Sequence, residues 1–205
     1  MLKSRRVAIF IFNDVEVLDF CGPLEVFGVT QQDEEQKPFE VVTVAAVPGV
    51  VMARNQLSVN PMYSFETCPS ADMVLIPGGV GTRPLLQDST VLSWIQTQAK
   101  TAEYLLSVCT GALLLAKAGL LEGLAATTHH TTFDLLRQLA PNTDVREGDR
   151  MVDNGQIILS AGVSAGIDMS LYGVNKLCGD EAAIATATEM EYDWHPGKPI
   201  AYSKA

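Results

Sequence analysis

The chain has 205 residues, 47% of them hydrophobic and 19% charged, with a mean hydropathy of +0.17. That balance suits one domain with a large core over residues 1–205 and excludes a disordered chain. Fourteen basic against 24 acidic residues leave a net charge of −10, which opposes binding to nucleic-acid phosphates or to an anionic membrane surface.

A basic start and the short apolar run Val7–Phe12 look like the opening of a signal peptide, but acidic Asn13-Asp14-Val15-Glu16 follows in place of a cleavage site. The run is therefore read as a first buried strand, Arg6–Phe12. No apolar stretch reaches the ~18 residues of a membrane span. Cys21, Cys68, Cys109 and Cys178 show no CxxC spacing and are too sparse for a disulfide framework, so a reducing cytoplasm is expected.

Continuous apolar, β-rich runs recur at Phe39–Ala46, Met73–Ile76 and Glu103–Val108, as strands covered on both faces require. Helical patterns alternate with them: Val15–Val29, interrupted by Gly22-Pro23, then Ser89–Lys100, Gly111–Ala118 and Asp134–Leu139. Asn154-Gly155 between short apolar runs predicts a hairpin within Val145–Ser160. Ala165–Cys178 and Asp180–Met190 read as closing helices divided by Gly179, and the tail from Tyr192 to Pro199 as extended. This order predicts an α/β fold: a flavodoxin-like, doubly wound, mostly parallel sheet with helices on both faces and a small β-hairpin.

Three places suggest chemistry. In Leu105–Leu114 an apolar strand runs into an apolar helix with Cys109 at the joint and Gly111 two residues on, the pattern of a nucleophile elbow. A helix N-terminus aimed at the sulfur would lower the thiol pKa and offer N–H groups to a developing anion; a buried structural cysteine gives the same pattern. The loop Pro77-Gly78-Gly79-Val80-Gly81 is either a simple turn or a close backbone approach to substrate, and lacks the Lys-Ser/Thr of a phosphate loop. Asp19 stands among Val17, Leu18, Phe20 and Cys21. It is a helix-cap or exposed acid, or a desolvated carboxyl whose raised pKa lets it carry a proton.

Together these motifs make the chain resemble the ThiJ/PfpI superfamily, of the class I glutamine amidotransferase-like fold. The resemblance is strongest to the branch holding isonitrile hydratase and the amidotransferase-like domains of AraC-type regulators. The residues that carry it are Leu18–Phe27 (LDFCGPLEVF), Ile76–Thr82 (IPGGVGT), Ser107–Gly123, Ala126–His130 (ATTHH), Ser160–Asp168 (SAGVSAGID) and Glu189–Tyr192 (EMEY).

The resemblance implies Cys109 as nucleophile, Asp19 as its carboxylic partner and Thr110 as the neighbouring catalytic residue, with the N–H groups of Gly79 and Thr110 forming an oxyanion-type site. It implies hydration of an isonitrile to an N-substituted formamide through a Cys109 thioimidate, a small-molecule substrate, a homodimer, and neither metal nor organic cofactor. Departures fall at Thr110, where the family's peptidases have His, which disfavours proteolysis, and at Asp19, often Glu. His130 stands where the branch tends to have Trp, Cys21 where it often has Thr, and the tail around His195 differs. Gly78, Cys21, His129, His130 and His195 are therefore candidate pocket residues. His129 is read as a structural hydrogen-bonding residue, and adjacent histidines without a third ligand do not make a metal site. The alternative function is a non-catalytic sensor of ligand or oxidant, related to the regulator domains.

Overall fold

The computed structural model describes residues 4–31 and 37–195. In chain order the elements are β1 (Arg5–Phe10), α1 (Val17–Val29), β2 (Phe39–Ala45), β3 (Val51–Met52), β4 (Ser58–Val59), β5 (Tyr63–Ser64) and β6 (Met73–Ile76). Then come α2 (Thr82–Leu85), α3 (Ser89–Thr101), β7 (Tyr104–Val108), α4 (Gly111–Lys117), β8 (Ala125–Ala126), α5 (Phe133–Leu139) and β9 (Asp144–Val145). The chain closes with β10 (Met151–Asp153), β11 (Ile157–Ser160), α6 (Ala165–Cys178) and α7 (Asp180–Glu189).

The main sheet runs β10-β11-β7-β6-β1-β2-β5, parallel except for β10. Its central strands are apolar without alternation because both faces are covered: α1 packs with α6 and α7, and α4 with α2, α3 and α5. Ile9, Leu75, Leu105 and Leu106 are fully buried in it. No helix of the described residues is long and apolar enough to cross a membrane.

The strands before the site fall where the apolar runs predict them. The hairpin also forms, with Gly155 at φ 88°, but β11 joins the main sheet beside β7, so the hairpin is the sheet's edge. A separate small hairpin, β3–β4, and the two-residue pair β8–β9 carry too few apolar residues to stand out in the sequence. One expectation is corrected: α1 runs unbroken through Gly22-Pro23. Pro23 cannot donate to the Asp19 carbonyl, yet tertiary packing holds the helix. A Cβ on Gly22 would lie 2.9 Å from Ile167 Cγ1, and one on Gly166 3.6 Å from Pro23 Cγ. The part of the expected tail from Pro196 onward lies outside the described residues.

Strand order decides where chemistry can gather. The chain turns from β1 to β2 on one side and then crosses to β6 on the other, so a crevice opens at the carboxyl ends of β1 and β6. Register aligns Ile76 with Ser107, and Val108 with Ser160. The loops that follow β1, β6, β7 and β11 therefore meet at one level.

Candidate active site

Each of those four loops contributes one part. After β7, Cys109 takes left-handed backbone geometry, φ 57°, and is 5% exposed. A non-glycine residue there costs about 1–3 kcal/mol, and its surroundings hold it. Its N–H is shared between the Ser160 and Ala161 carbonyls at 3.2 and 3.1 Å, and its carbonyl accepts from Thr128 Oγ1 at 2.9 Å. Gly111 lets α4 start against β6: a Cβ there would lie 2.1 Å from the Ile76 oxygen.

After β6, the glycine loop does two jobs. The Gly78 N–H donates to Asp19 Oδ2 at 2.9 Å. A Cβ on Gly78 would stand 2.5 Å from Thr110 N and 2.8 Å from Asp19 Oδ2, so only glycine fits between them. Gly79, at φ 128°, bridges antiparallel to Val15 and so joins this loop to the one after β1.

Asp19 comes from the first turn of α1 and is fully buried. Its Oδ1 makes no hydrogen bond; the Cys109 thiol and the Val163 N–H act on the carboxyl without meeting hydrogen-bond geometry there. Burial raises the Asp19 pKa from 3.8 to about 7, offset in part by the Gly78 N–H, Cys109 and Val163. The Cys109 thiol is pushed up to about 12, by burial first and then by the Asp19 charge, while the Thr110 and Val163 N–H groups act in the opposite direction. This reverses the expected lowering of the thiol pKa, because desolvation outweighs the backbone donors at a seven-residue helix. Burial thus favours the uncharged form of each group, and the Asp19 charge adds to the rise at the thiol.

The expected donor set changes as well. The Gly79 N–H is taken by Thr110 Oγ1 at 2.9 Å, and that hydroxyl is 3.1 Å from the Gly79 carbonyl. The two backbone donors acting on Cys109 are those of Thr110 and Val163. Val163, in the loop after β11, is itself left-handed at φ 52°. Sequence reasoning missed it, since a β-branched residue gives no sign of positive φ. It also passed over Thr128, though the ATTHH motif contains it.

His129 is half-buried and packs so closely that a Cβ on Gly162 would lie 2.4 Å from its Cδ2. Its Nδ1 is 2.8 Å from Thr131 Oγ1, and burial, then the neighbouring His130 and Arg83, lower its pKa. His130 is exposed with its ring 4.3 Å from that of His129. Exposed His195 pairs with Asp193 at 3.1 Å. Cys21 is half-buried with its thiol pKa raised by burial. The structure brings Asp19, Gly78, Gly79, Cys109 and Thr110 together; no described contact links His195 or Cys21 to them. No group of three metal-ligating side chains occurs among the described residues.

A buried thiol at a strand–helix joint, at the switch point of a mostly parallel sheet and against a buried carboxyl, marks a doubly wound α/β protein whose candidate site lies at the carboxyl edge of its sheet. Within that class the chain belongs to the DJ-1/PfpI family, which residues 5–176 match. It is 35% identical over 187 residues to isonitrile hydratase of Pseudomonas putida, covering 91% of this chain and 78% of that one. A ThiJ/PfpI family protein from Pseudomonas syringae superposes with a TM-score of 0.84 at 29% identity, over 96% of this chain and 78% of the other. The HTH-type transcriptional regulator GbdR of Pseudomonas aeruginosa is 23% identical over 93% of this chain, which spans about half (52%) of the regulator's length.

Proposed function

We propose that the protein hydrates an isonitrile to an N-substituted formamide, with Cys109 as nucleophile and Asp19 as proton carrier. The observation that carries this reading is a buried thiol beside a buried carboxyl whose pKa burial raises. An isonitrile accepts both a proton and a nucleophile at the same carbon. Acid and nucleophile must then sit side by side, as Asp19 and Cys109 do, whereas an ester or amide needs its acid at the leaving heteroatom. The 35% identity to isonitrile hydratase supports the same chemistry.

The thiol proton passes through Asp19 to the isonitrile carbon while sulfur bonds to that carbon, giving a thioimidate and an ionised Asp19. Asp19 then takes a proton from water as the oxygen adds, and returns it to nitrogen. Collapse of the tetrahedral adduct expels the Cys109 thiolate, which takes up the hydroxyl proton and releases the formamide. The Thr110 and Val163 N–H groups stabilise the departing sulfur anion. Thr110 Oγ1 positions the glycine loop and with it the Gly78 bond to Asp19. No metal or organic cofactor enters this sequence.

The test is turnover of cyclohexyl isonitrile by wild type, Cys109→Ala and Asp19→Ala, with the formamide followed by mass spectrometry. Turnover by wild type alone supports both roles. No turnover by the reduced wild-type protein, across several alkyl isonitriles, rejects the hydration reading and returns the site to the sensing alternative.

A further inference from the structure

We propose that Arg83 makes the mouth of the Cys109 site selective for substrates that carry a carboxylate. The inference rests on the hydration reading for the reacting group, and on the geometry of the glycine loop for the rest.

Arg83 is exposed, yet it is anchored. Its Nη1 donates to the Gly79 carbonyl at 3.1 Å and to Thr82 Oγ1 at 3.0 Å. That same carbonyl lies 3.1 Å from Thr110 Oγ1, and Thr82 Oγ1 lies 3.3 Å from Thr110 Oγ1. The guanidinium is thus fixed on the loop whose preceding residue, Gly78, holds Asp19. Its Nε and Nη2 have no partner among the described residues. Those two N–H groups lie on one edge and form the side-on fork that matches a carboxylate with two parallel hydrogen bonds.

Two acids stand on the loop that faces the glycine loop. Glu16, on the facing loop, is paired with Arg54 at 2.9 Å. Asp14 is exposed on that loop. His129 is close enough to feel the Arg83 charge, which acts after burial and His130 in lowering its pKa. The net charge of −10 repels anions at a distance, but screening confines that field to about 8 Å at physiological salt. Selection for a carboxylate must therefore come from a local donor held in place, which is what the two Nη1 bonds provide. A substrate with its isonitrile carbon at Cys109 and its carboxylate outward would meet Arg83 at the rim and keep its charge away from Asp19 on the floor.

The test uses two alkylating probes of nearly equal shape, iodoacetate and iodoacetamide. Their rates at Cys109 are followed on the Cys109 peptide by mass spectrometry, with glutathione as reference. Wild type is expected to show an iodoacetate-to-iodoacetamide rate ratio above that of glutathione. Arg83→Gln is expected to lower the ratio roughly three- to fivefold, the scale of one exposed ion pair, and Arg83→Lys to lower it less. A wild-type ratio at or below that of glutathione, or the same ratio in Arg83→Gln, overturns the proposal. A parallel arm compares turnover of isocyanoacetate with that of its methyl ester. If neither isonitrile is hydrated but the alkylation ratio behaves as expected, hydration fails and the Arg83 assignment stands. If both are hydrated with no preference for the acid, the Arg83 assignment fails and hydration stands.

Discussion

Cys109 and Val163 stand at the ends of the paired strands β7 and β11, and both adopt left-handed backbone, at φ 57° and 52°. The Val163 N–H acts on the Cys109 thiol and on Asp19 alike. Behind it, Arg150 donates to Ser164 Oγ at 3.2 Å and pairs with Asp168, which also accepts from Tyr192 at 3.1 Å. The strained turn is thus braced by a largely buried ion pair. That explains how a β-branched residue keeps a backbone conformation it rarely takes.

Asp19→Asn removes a charge and keeps the side-chain size. Because the Asp19 charge is the second cause raising the Cys109 pKa, the thiol should titrate below about 12; because burial is the first, it should stay above the ordinary 9.0. Thiolate absorbance against pH measures this. A midpoint that stays put or rises would show that the two groups are not electrostatically coupled.

The same carboxyl shapes stability. The folded-state pKa of Asp19, about 7, lies above its ordinary 3.8, so the folded chain holds a proton in that window that the unfolded chain lacks. The stabilisation is fully present below the lower value and is lost as pH rises through the higher one, at up to about 1.4 kcal/mol per pH unit. Urea unfolding of wild type and Asp19→Asn at pH 5 and pH 8 reads this directly. The wild type should lose more stability over that interval than the variant, and equal losses would count against the raised pKa.

Three glycine-to-alanine changes should separate by what their Cβ meets. Gly111→Ala drives a methyl to 2.1 Å from the Ile76 oxygen and should cost about 3 kcal/mol. Gly78→Ala wedges Thr110 from Asp19 and should abolish turnover. Gly28, within α1, meets nothing within 4 Å, so Gly28→Ala should stabilise the helix by about 0.5–1 kcal/mol. Thermal melts of the three test the order, and a stabilised Gly111→Ala would refute the close approach.

Thr110→Val deletes the hydroxyl that binds the Gly79 N–H but keeps the Thr110 N–H beside the thiol. The Gly79 carbonyl keeps Thr82 and Arg83. Turnover should fall by about 10- to 100-fold, with kcat rather than KM affected, since the loss acts through loop position. Thr110→Ser should recover most of it. Equal losses in both variants would mean that the hydroxyl's position is not what matters.

Much of this arrangement is legible in the chain before it folds. The apolar run Met73–Ile76 coincides with β6, and Phe39–Ala46 overruns β2 by one residue, because burial on both faces leaves a continuous apolar signature. The Cys109 elbow and the Pro77-Gly78-Gly79 loop stand out because tight turns need small residues at set offsets. Less legible were α1 running through Pro23, the short hairpin β3–β4, and the capture of the Gly79 N–H by Thr110. Each depends on a neighbour far along the chain: Ile167 against Gly22, Asn13 against Met52, Thr110 against Gly79.

The sequence by itself determined that this is an α/β chain with a cysteine at a strand–helix joint and an acid in an apolar setting, since local pattern and turn chemistry encode those features. Only the tertiary structure decided that the acid and the thiol are buried together, each with its pKa raised by that burial. It alone gave the Gly79 N–H to Thr110 Oγ1, brought the Val163 N–H to the thiol and anchored Arg83 on the Gly79 carbonyl. Protonation and donor geometry are set by desolvation and by contacts among β1, β6, β7 and β11, and those contacts exist only once strand order has brought four distant loops to one edge of the sheet.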